Sequence, residues 1–291
     1  MAVLLRTFLA PDLAVDLGSA TARVASACGR IHLEAPSAVG ETRALRGGVV
    51  VQPDCAAEVL RPLFAKARRF GLGRPRVVAT VPTDADRNER LALEESVRQA
   101  GAAAVVLAPE PLAAAIGAGL DLSLPYAQLV VDIGHGVTDC IVVRSGQILE
   151  SRARRVGCGD LEEALVRHHR ADEKRKGQGK TGKRKAVLTT EAARKMLIEK
   201  GLSLAKALSP ADESILGFVE SFVRDIPDDL GAELVESGLD LTGGGALLPG
   251  LADALARRTG LRVRRFPDPL HAVVQGGRRM IRTVAEQGLW A

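Results

Sequence analysis

The chain has 291 residues, of which 46% are hydrophobic and only 3% aromatic, so its cores must be built from aliphatic side chains. This length allows two domains or one large one. The net charge is +5, but residues 167–185 hold nine Lys or Arg against two acids, and the rest of the chain carries −2. The charge distribution therefore argues against a protein whose whole surface attracts anions.

The cysteines and the apolar segments indicate the compartment. Cys28, Cys55, Cys140 and Cys158 are scattered and form no Cys-x-x-Cys pair, which argues against a zinc site made from cysteines alone. The apolar start is short and meets Asp12 without a small-residue cleavage pattern, so we expect no signal peptide. We find no run of about 18 apolar residues that predicts a transmembrane helix. These features predict a protein of the reducing cytoplasm.

The first half of the chain alternates strands with helices. Its predicted elements are strands within 13–34, a helix over 54–70, a strand over 76–81, a helix over 84–100, a strand over 104–108 and a helix over 111–120. Asp86 and Glu89 have capping-box spacing at the start of the helix over 84–100, and Gly101 follows the end of that helix. This order predicts an α/β unit with a mixed sheet.

The second half repeats the alternation. Its predicted elements are strands from Leu129 to about Ser151, helices near 160–169 and over 189–207, 211–225 and 228–237, a strand in LDLTGGG, a helix over 247–259, a strand in RVRRF and a last helix over 270–287. The basic stretch 170–187 has three glycines and little apolar content, so we predict a mobile loop there. A second mixed sheet is expected in this half.

Three glycine turns follow predicted strands. They are DLGSAT at 16–21, DIGHGV at 132–137 and LTGGGALLPGL at 241–251. Glycine allows a ligand to lie close to the backbone, and such turns can direct N–H groups at a phosphate. One such turn is most often a plain hairpin, so the informative observation is the set of three.

In this order the three turns resemble the signature of the actin, Hsp70 and sugar-kinase superfamily. Within it the chain most resembles the MreB and Mbl family, the bacterial actins of rod-shaped cells. The matching segments are 74–120 with its EPLAAAIGAG tail, RVGCGDLEEAL, LTGGGALLPGL, the DPL of 268–270 and RALRGGVVVQPD. The resemblance covers most of the chain. It implies an actin-like ATPase fold, in which two related α/β domains with mixed sheets flank a nucleotide cleft.

The resemblance also implies domain limits. Domain I would comprise 1–124 and be completed by the C-terminal helix within 268–291, and domain II would comprise 125–267.

Two segments are shorter than in the family. Four residues separate PSAVG from LRGGVV where the family carries subdomain IB, and almost none separate the helices near 207 and 211, where it carries most of subdomain IIB. We therefore expect both outer subdomains to be reduced.

The family's nucleotide site can be carried over residue by residue. The first two turns would clamp the phosphates of ATP or ADP from opposite domains, and the third would lie against the adenosine. The implied nucleotide-binding residues are Asp16, Gly18, Ser19, Ala20, Thr21, Gly134, His135, Gly136, Val137, Gly243, Gly244 and Gly245. Asp16 and Asp132 would hold Mg²⁺ through its waters. The implied catalytic residues are Glu110 and Asp132, with Glu110 positioning the attacking water; alternatively, Glu110 is an acid stabilised by a helix N-terminus.

Some positions depart from the family pattern. The family usually has Gly where this chain has His135, and Thr where it has Val137. The imidazole could donate to a phosphate or crowd it. The adenine-facing Glu and Lys of the family would fall at Arg194 and Leu197, so that contact is expected to be lost. We therefore predict a degenerate site and at most a weak ATPase.

The resemblance implies a cytoskeletal protein that organises cell shape or cell-wall synthesis at the inner membrane face. Reduced outer subdomains predict weak self-association, with full-length MreB or cell-wall machinery proteins as partners. Residues 2–9 place Leu4, Leu5, Phe8 and Leu9 on one helical face. Such a segment would attach one monomer to a membrane only marginally but an assembly more strongly. The alternative is a short element packed on the domain.

Other functions stay open. One is an active ATPase that polymerises alone, and a second is a plasmid-partition relative that binds nucleic acid through 170–187. Nucleic acid is the less favoured partner because no aromatic residues interleave the cations. A third is a sugar or acetate kinase, for which the outer lobes are too small. GQGKTGKR at 177–184 resembles a P-loop, but Arg184 replaces its Ser or Thr. His168 and His169 are best explained as surface residues, because adjacent side chains on a helix point apart.

Overall fold

The computed structural model describes residues 11–30, 32–68, 73–177, 188–201 and 211–290. The strands are β1 (Leu13–Leu17), β2 (Thr21–Ser26), β3 (His32–Pro36), β4 (Ala38–Val39), β5 (Thr42–Arg43), β6 (Leu45–Arg46), β7 (Val49–Val50), β8 (Arg76–Val81), β9 (Ala104–Pro109), β10 (Gln128–Ile133), β11 (Thr138–Arg144), β12 (Gln147–Arg154), β13 (Leu239–Thr242) and β14 (Val263–Arg265). The helices are α1 (Pro53–Ala67), α2 (Arg87–Gln99), α3 (Glu110–Ala118), α4 (Cys158–Gly177), α5 (Thr190–Lys200), α6 (Ala211–Arg224), α7 (Asp228–Ser237), α8 (Leu251–Thr259) and α9 (Ala272–Glu286).

Two five-stranded sheets have the same topology. The first has the order β3-β2-β1-β8-β9 and the second the order β12-β11-β10-β13-β14. In the first sheet, β1 pairs antiparallel with β2 and parallel with β8. In the second sheet, β10 pairs antiparallel with β11 and parallel with β13. In both sheets the parallel partner is reached through helices. This confirms the predicted mixed sheet in each half. We call the first sheet with α1, α2, α3 and α9 the first unit, and the second sheet with α4 to α8 the second unit.

Two small-residue helices lie between the sheets. Val274 and Ile281 of α9 pack on the first sheet, and Ala113 of α3 lies in a cluster with Val130 of the second. The helices cross so closely that a Cβ on Gly276 would overlap the carbonyl oxygen of Ala113. This contact explains why the core is rich in alanine and poor in aromatics, since only small residues allow two backbones to meet. The outer faces of the sheets are covered by α1 and α2 on one side and by helices of the second unit on the other.

The structure corrects the prediction for the basic stretch. Residues 170–177 were expected in a loop but continue α4 to Gly177. The sequence from Arg170 to Lys176 contains no Gly or Pro and carries charges of both signs, which is compatible with a continuing helix. Residues 178–187, and with them most of the P-loop-like segment, lie outside the described residues. So do residues 2–9, the predicted membrane contact.

Other boundaries differ by a few residues. The helix expected over 189–207 ends at Lys200. Gly201 follows with a φ of 49°, and a Cβ added there would overlap the carbonyl oxygen of Pro249. Residues 202–207 lie outside the described residues. The helix expected from 247 begins at Leu251, after Gly250 with a φ of 81°. The capping box of Asp86 and Glu89 is confirmed. In the described part of the chain, no helix is both long enough and apolar enough to cross a bilayer.

Candidate functional site

The three glycine turns surround a cavity of about 290 Å³ between the two units. This is near the lower limit of roughly 300 Å³ for small-molecule pockets. The predicted site residues that line it are Asp16, Gly18, Ser19, Ala20, Thr21, Glu110, Asp132, Gly134, His135, Gly136, Val137, Gly243 and Gly244. Gly245 does not line it. That residue lies behind the turn, where a Cβ would stand 2.5 Å from Cγ2 of Ile133.

The two hairpin turns touch each other at the cavity floor. Each is closed by the same hydrogen bond, from Gly18 N–H to the Thr21 carbonyl (3.2 Å) and from Gly134 N–H to the Val137 carbonyl (2.9 Å). A Cβ on Gly136 would lie 2.6 Å from Ser19 Oγ, so glycine is what allows the second turn to approach the first. The site is therefore assembled only when the units are close together.

Buried carboxyl groups converge behind the turns. Asp16 is the penultimate residue of β1, Asp132 is the penultimate residue of β10, and Glu110 begins α3. Burial, reinforced by the neighbouring carboxylates, raises the pKa of Asp132 to about 7 and that of Glu110 well above its usual value. Burial also raises the pKa of Asp16, although Arg23 opposes it. Placing negative charge here is thus costly unless a cation accompanies it.

Asp132 also carries an unsatisfied atom. Its Oδ1 is buried and has no hydrogen-bond partner among the described residues. A buried acceptor left without a partner costs about 1–3 kcal/mol. The backbone of Gly243 passes so close that a Cβ there would overlap this oxygen. An all-oxygen donor set with one orphaned oxygen fits a hydrated Mg²⁺, which prefers carboxylate and water ligands.

The imidazole of His135 is directed away from the first hairpin. Its Nε2 lies 3.4 Å from Glu162 Oε2 and 3.3 Å from Arg194 Nη2, while Arg194 Nε donates to Glu162 Oε1 at 2.7 Å. Gly159 makes room for the ring, since a Cβ there would lie 2.7 Å from His135 Cε1. Burial alone would raise the pKa of Glu162, but the hydrogen bonds from His135 and Arg194 outweigh it and lower the pKa. The second turn is thereby tied to α4 and α5.

The remaining wall of the cavity is apolar. The residues that form it are Leu197, Ile198, Leu247, Leu248, Leu270 and Val273. Arg194 and Leu197, where the sequence alignment puts the missing adenine contacts, both border this wall. It offers apolar contact to a flat ring, with Arg194 as the cation at its edge.

Sequence reasoning missed Arg23 and Asp139. Arg23 lies on β2 and places Nη1 3.4 Å from Asp16 Oδ2, so a cation already faces one of the predicted Mg²⁺ ligands. Asp139 of β11 accepts hydrogen bonds from Thr83 N–H at 2.7 Å and from Thr83 Oγ1 at 2.6 Å, which joins the units. Burial raises the pKa of Asp139 to about 7. The two partners are 56 positions apart, and no local pattern indicates such a contact.

Arg155 is a second link between the units. From the second unit it reaches Asp84 Oδ1 (2.8 Å), Glu89 Oε2 (3.1 Å) and the carbonyl oxygen of Gly47 (2.6 Å) in the first. Its guanidinium thus bridges the two units. Arg155 is the first residue of RVGCGDLEEAL, a segment that the resemblance singles out, and this was the only sign of a role in the sequence.

Comparison with known proteins gives the family. The family model described as MreB/Mbl protein matches residues 22–186 and 171–288. The chain belongs to the MreB/Mbl family. The cell shape-determining protein MreB of Escherichia coli K12 is 30% identical over 274 residues, which cover 87% of this chain and 79% of that protein.

Solved structures of MreB-like proteins share the fold. MreB5 of Spiroplasma citri bound to AMPPNP superposes with a TM-score of 0.83 at 20% identity, covering 96% of this chain and 98% of that one. The MamK double helical filament gives a TM-score of 0.73 at 16% identity, covering 93% and 99%. These likenesses confirm the predicted actin-like fold.

The segment between β3 and α1 is short. Between β3 and α1 the chain forms two hairpins of two-residue strands, β4-β5 and β6-β7. One of them still contributes to the site, because Gly48 N–H donates to Ser19 Oγ at 2.9 Å. This hairpin therefore helps to hold the first glycine turn in place.

Proposed function

We propose that this chain is a cytoskeletal actin homologue that binds ATP or ADP with Mg²⁺ between its two hairpins and hydrolyses ATP slowly or not at all. The observation that carries the proposal is the convergence of three glycine turns and buried acids on one cavity. Family membership supports it, as do the fold neighbours described as MreB5 bound to AMPPNP and as a MamK filament.

Binding would use backbone and carboxylate groups. The two hairpins would hold the phosphates with their N–H groups. Asp16 and Asp132 would hold Mg²⁺ through its waters, and bound Mg²⁺ would neutralise phosphate charge. The apolar wall beside Leu197 would take the base, with the third turn beneath it.

Glu110 would orient the attacking water from the N-terminus of α3. Burial raises its pKa well above the usual value, which favours the protonated form. A protonated carboxyl group does not accept a proton from water, so Glu110 would act as a base only when a bound cation offsets the charge of Asp16 and Asp132.

Two further contacts support slow turnover. Arg23 lies beside Asp16 and competes for that carboxylate with a metal ion. His135 is held by Glu162 and Arg194. These contacts would have to break before the His135 side chain could move with the phosphate during hydrolysis.

Turnover measurements test the proposal. ATP hydrolysis would be followed for the wild type beside a full-length MreB, and for His135→Gly and Arg194→Ala. Lys195→Ala is the matched control, because Lys195 is the next cation on α5 and is 72% exposed. We expect the wild type to be at least about tenfold slower than MreB, which corresponds to roughly 1.4 kcal/mol in the barrier. A wild-type rate comparable to that of MreB would contradict a degenerate site.

We also propose that the protein acts in cell-shape or cell-wall organisation at the inner face of the plasma membrane. Residues 2–9 would provide a peripheral contact, and full-length MreB or cell-wall machinery proteins would be its partners. The reduced first outer subdomain supports weak self-assembly and co-assembly with a partner. Sedimentation with ATP should give little pellet alone and more with MreB, whereas robust homopolymers would contradict this part.

A further inference from the structure

A histidine-rich cluster lies outside the cavity. His32 and Glu34 are on β3, and His271 immediately precedes α9. One ligand atom from each side chain lies within 4.8 Å of the others. The two imidazole rings meet edge to face with centroids 4.7 Å apart. The residues come from segments more than 230 positions apart, so the fold alone brings them together.

The carboxylate of Glu34 lies between the rings. Its Oε1 is 2.7 Å from His271 Nε2 and 3.7 Å from His32 Nε2. A tetrahedral zinc ion with ligands at about 2.0 Å has edges of roughly 3.3 Å between them, which lies between these two distances.

A second carboxylate orients His271. Asp268 Oδ1 lies 2.8 Å from His271 Nδ1, on the side of the ring that faces away from Glu34. An Nδ1–H that donates to a carboxylate leaves Nε2 as the ligand atom, and this pairing is usual for histidines that bind metals. The other oxygen of Glu34 faces Arg23 Nε at 3.6 Å, so Oε1 remains on the side of the imidazoles.

We propose that His32, Glu34 and His271 form a site for a late first-row divalent cation such as Zn²⁺, with Asp268 as a positioning residue outside the ligand set. Two imidazoles and one carboxylate are a known three-ligand set for zinc, which leaves a fourth position for water. The ligand chemistry selects against Mg²⁺ and Ca²⁺, which prefer oxygen.

The place of the cluster gives the cation a mechanical role. Residues 266–271 connect β14 of the second sheet to α9, which packs on the first. A cation shared by β3 and His271 would fasten this connection to the edge of the first sheet. It would thereby restrict movement of one unit relative to the other.

Zinc titration of the untagged, reduced, nucleotide-free protein tests the site. Calorimetry with Zn²⁺ should show one ion per chain, and Co²⁺ should give the strong visible absorption of a tetrahedral complex. His32→Ala, His271→Ala and the nearly isosteric Glu34→Gln should each remove this binding. Asp268→Asn should weaken it by about 10–100-fold. Saturating Zn²⁺ should raise the melting temperature of the wild type but not of Glu34→Gln.

His168→Ala/His169→Ala is the matched control, because it removes two imidazoles from α4 and should bind like the wild type. Metal-free melting curves establish that each variant is folded. The proposal is overturned if the wild type binds no Zn²⁺ at about 100 µM, a free energy near −5.5 kcal/mol. It is equally overturned if binding survives in both Glu34→Gln and His32→Ala, or if Co²⁺ shows a thiolate charge-transfer band from a cysteine such as Cys28.

Discussion

Removal of the Arg155 guanidinium should loosen the two units without unfolding either. Arg155 of the second unit makes two ion pairs with the first unit, to Asp84 and Glu89, and donates a hydrogen bond to the Gly47 carbonyl. Its side chain is 30% exposed, so each ion pair is worth only a few tenths of a kcal/mol to about 1 kcal/mol. The charged hydrogen bond adds roughly 1.5 kcal/mol. Together they stabilise the closed arrangement by about 2–3 kcal/mol.

Because ATP·Mg²⁺ should bind only between closed units, Arg155→Ala should weaken its apparent affinity. A loss of about 2 kcal/mol raises the apparent dissociation constant by up to roughly 30-fold, and the full value is reached when the free variant is mostly open. Calorimetry measures this, and small-angle scattering reports whether the free protein expands. Arg152→Ala is the matched control, because Arg152 lies three residues earlier, on β12, but pairs with Asp225 inside the second unit at 2.9 Å. Equal affinities for the two variants would refute the reasoning.

Two predictions concern stability. Burial raises the folded-state pKa of Asp132 and Asp139 to about 7, above their unfolded pKa of about 3.9. The folded state therefore binds these two protons more tightly than the unfolded state. The stability gained in this way is complete below the unfolded pKa and is lost as pH rises through 7. The free energy of unfolding in urea should therefore fall by a few kcal/mol between pH 5 and pH 8, and less so in Asp139→Asn; a flat profile would contradict the burial of these acids. Gly276→Ala should lower the free energy of unfolding by about 3 kcal/mol, because the new Cβ would overlap the α3 backbone. Gly231 on α7 has open space around it, so Gly231→Ala should be neutral or stabilising by up to about 1 kcal/mol. Similar melting temperatures for the two glycine variants would show that the helices separate easily.

Local patterns predicted the elements well where the physical cause is local. The capping box at Asp86, the alternating apolar strands and the glycine turns depend on neighbours within a few residues. The one large error, the loop expected at 170–177, came from treating charge and glycine content as disorder, although no helix breaker precedes Gly177.

The site was only partly accessible to sequence reasoning. Glycine turns carry a local signal, and all but Gly245 of the nucleotide-binding positions that the resemblance implies line the cavity. Their roles remain predictions. The contacts of Arg155, Asp139 and His271 join segments 56 to 237 residues apart, and nothing in the local sequence specifies the partner. Such contacts depend on how the two sheets come together.

Calorimetric titration of the wild type with ATP and Mg²⁺ tests the central claim most directly, with His135→Gly and Asp132→Asn measured beside it. We predict one nucleotide per chain at micromolar strength, dependent on Mg²⁺, with weaker binding in Asp132→Asn. Binding by His135→Gly alone would mean that the imidazole has closed an ancestral site. No binding by either protein would contradict a nucleotide cleft and leave the actin-like core as a scaffold.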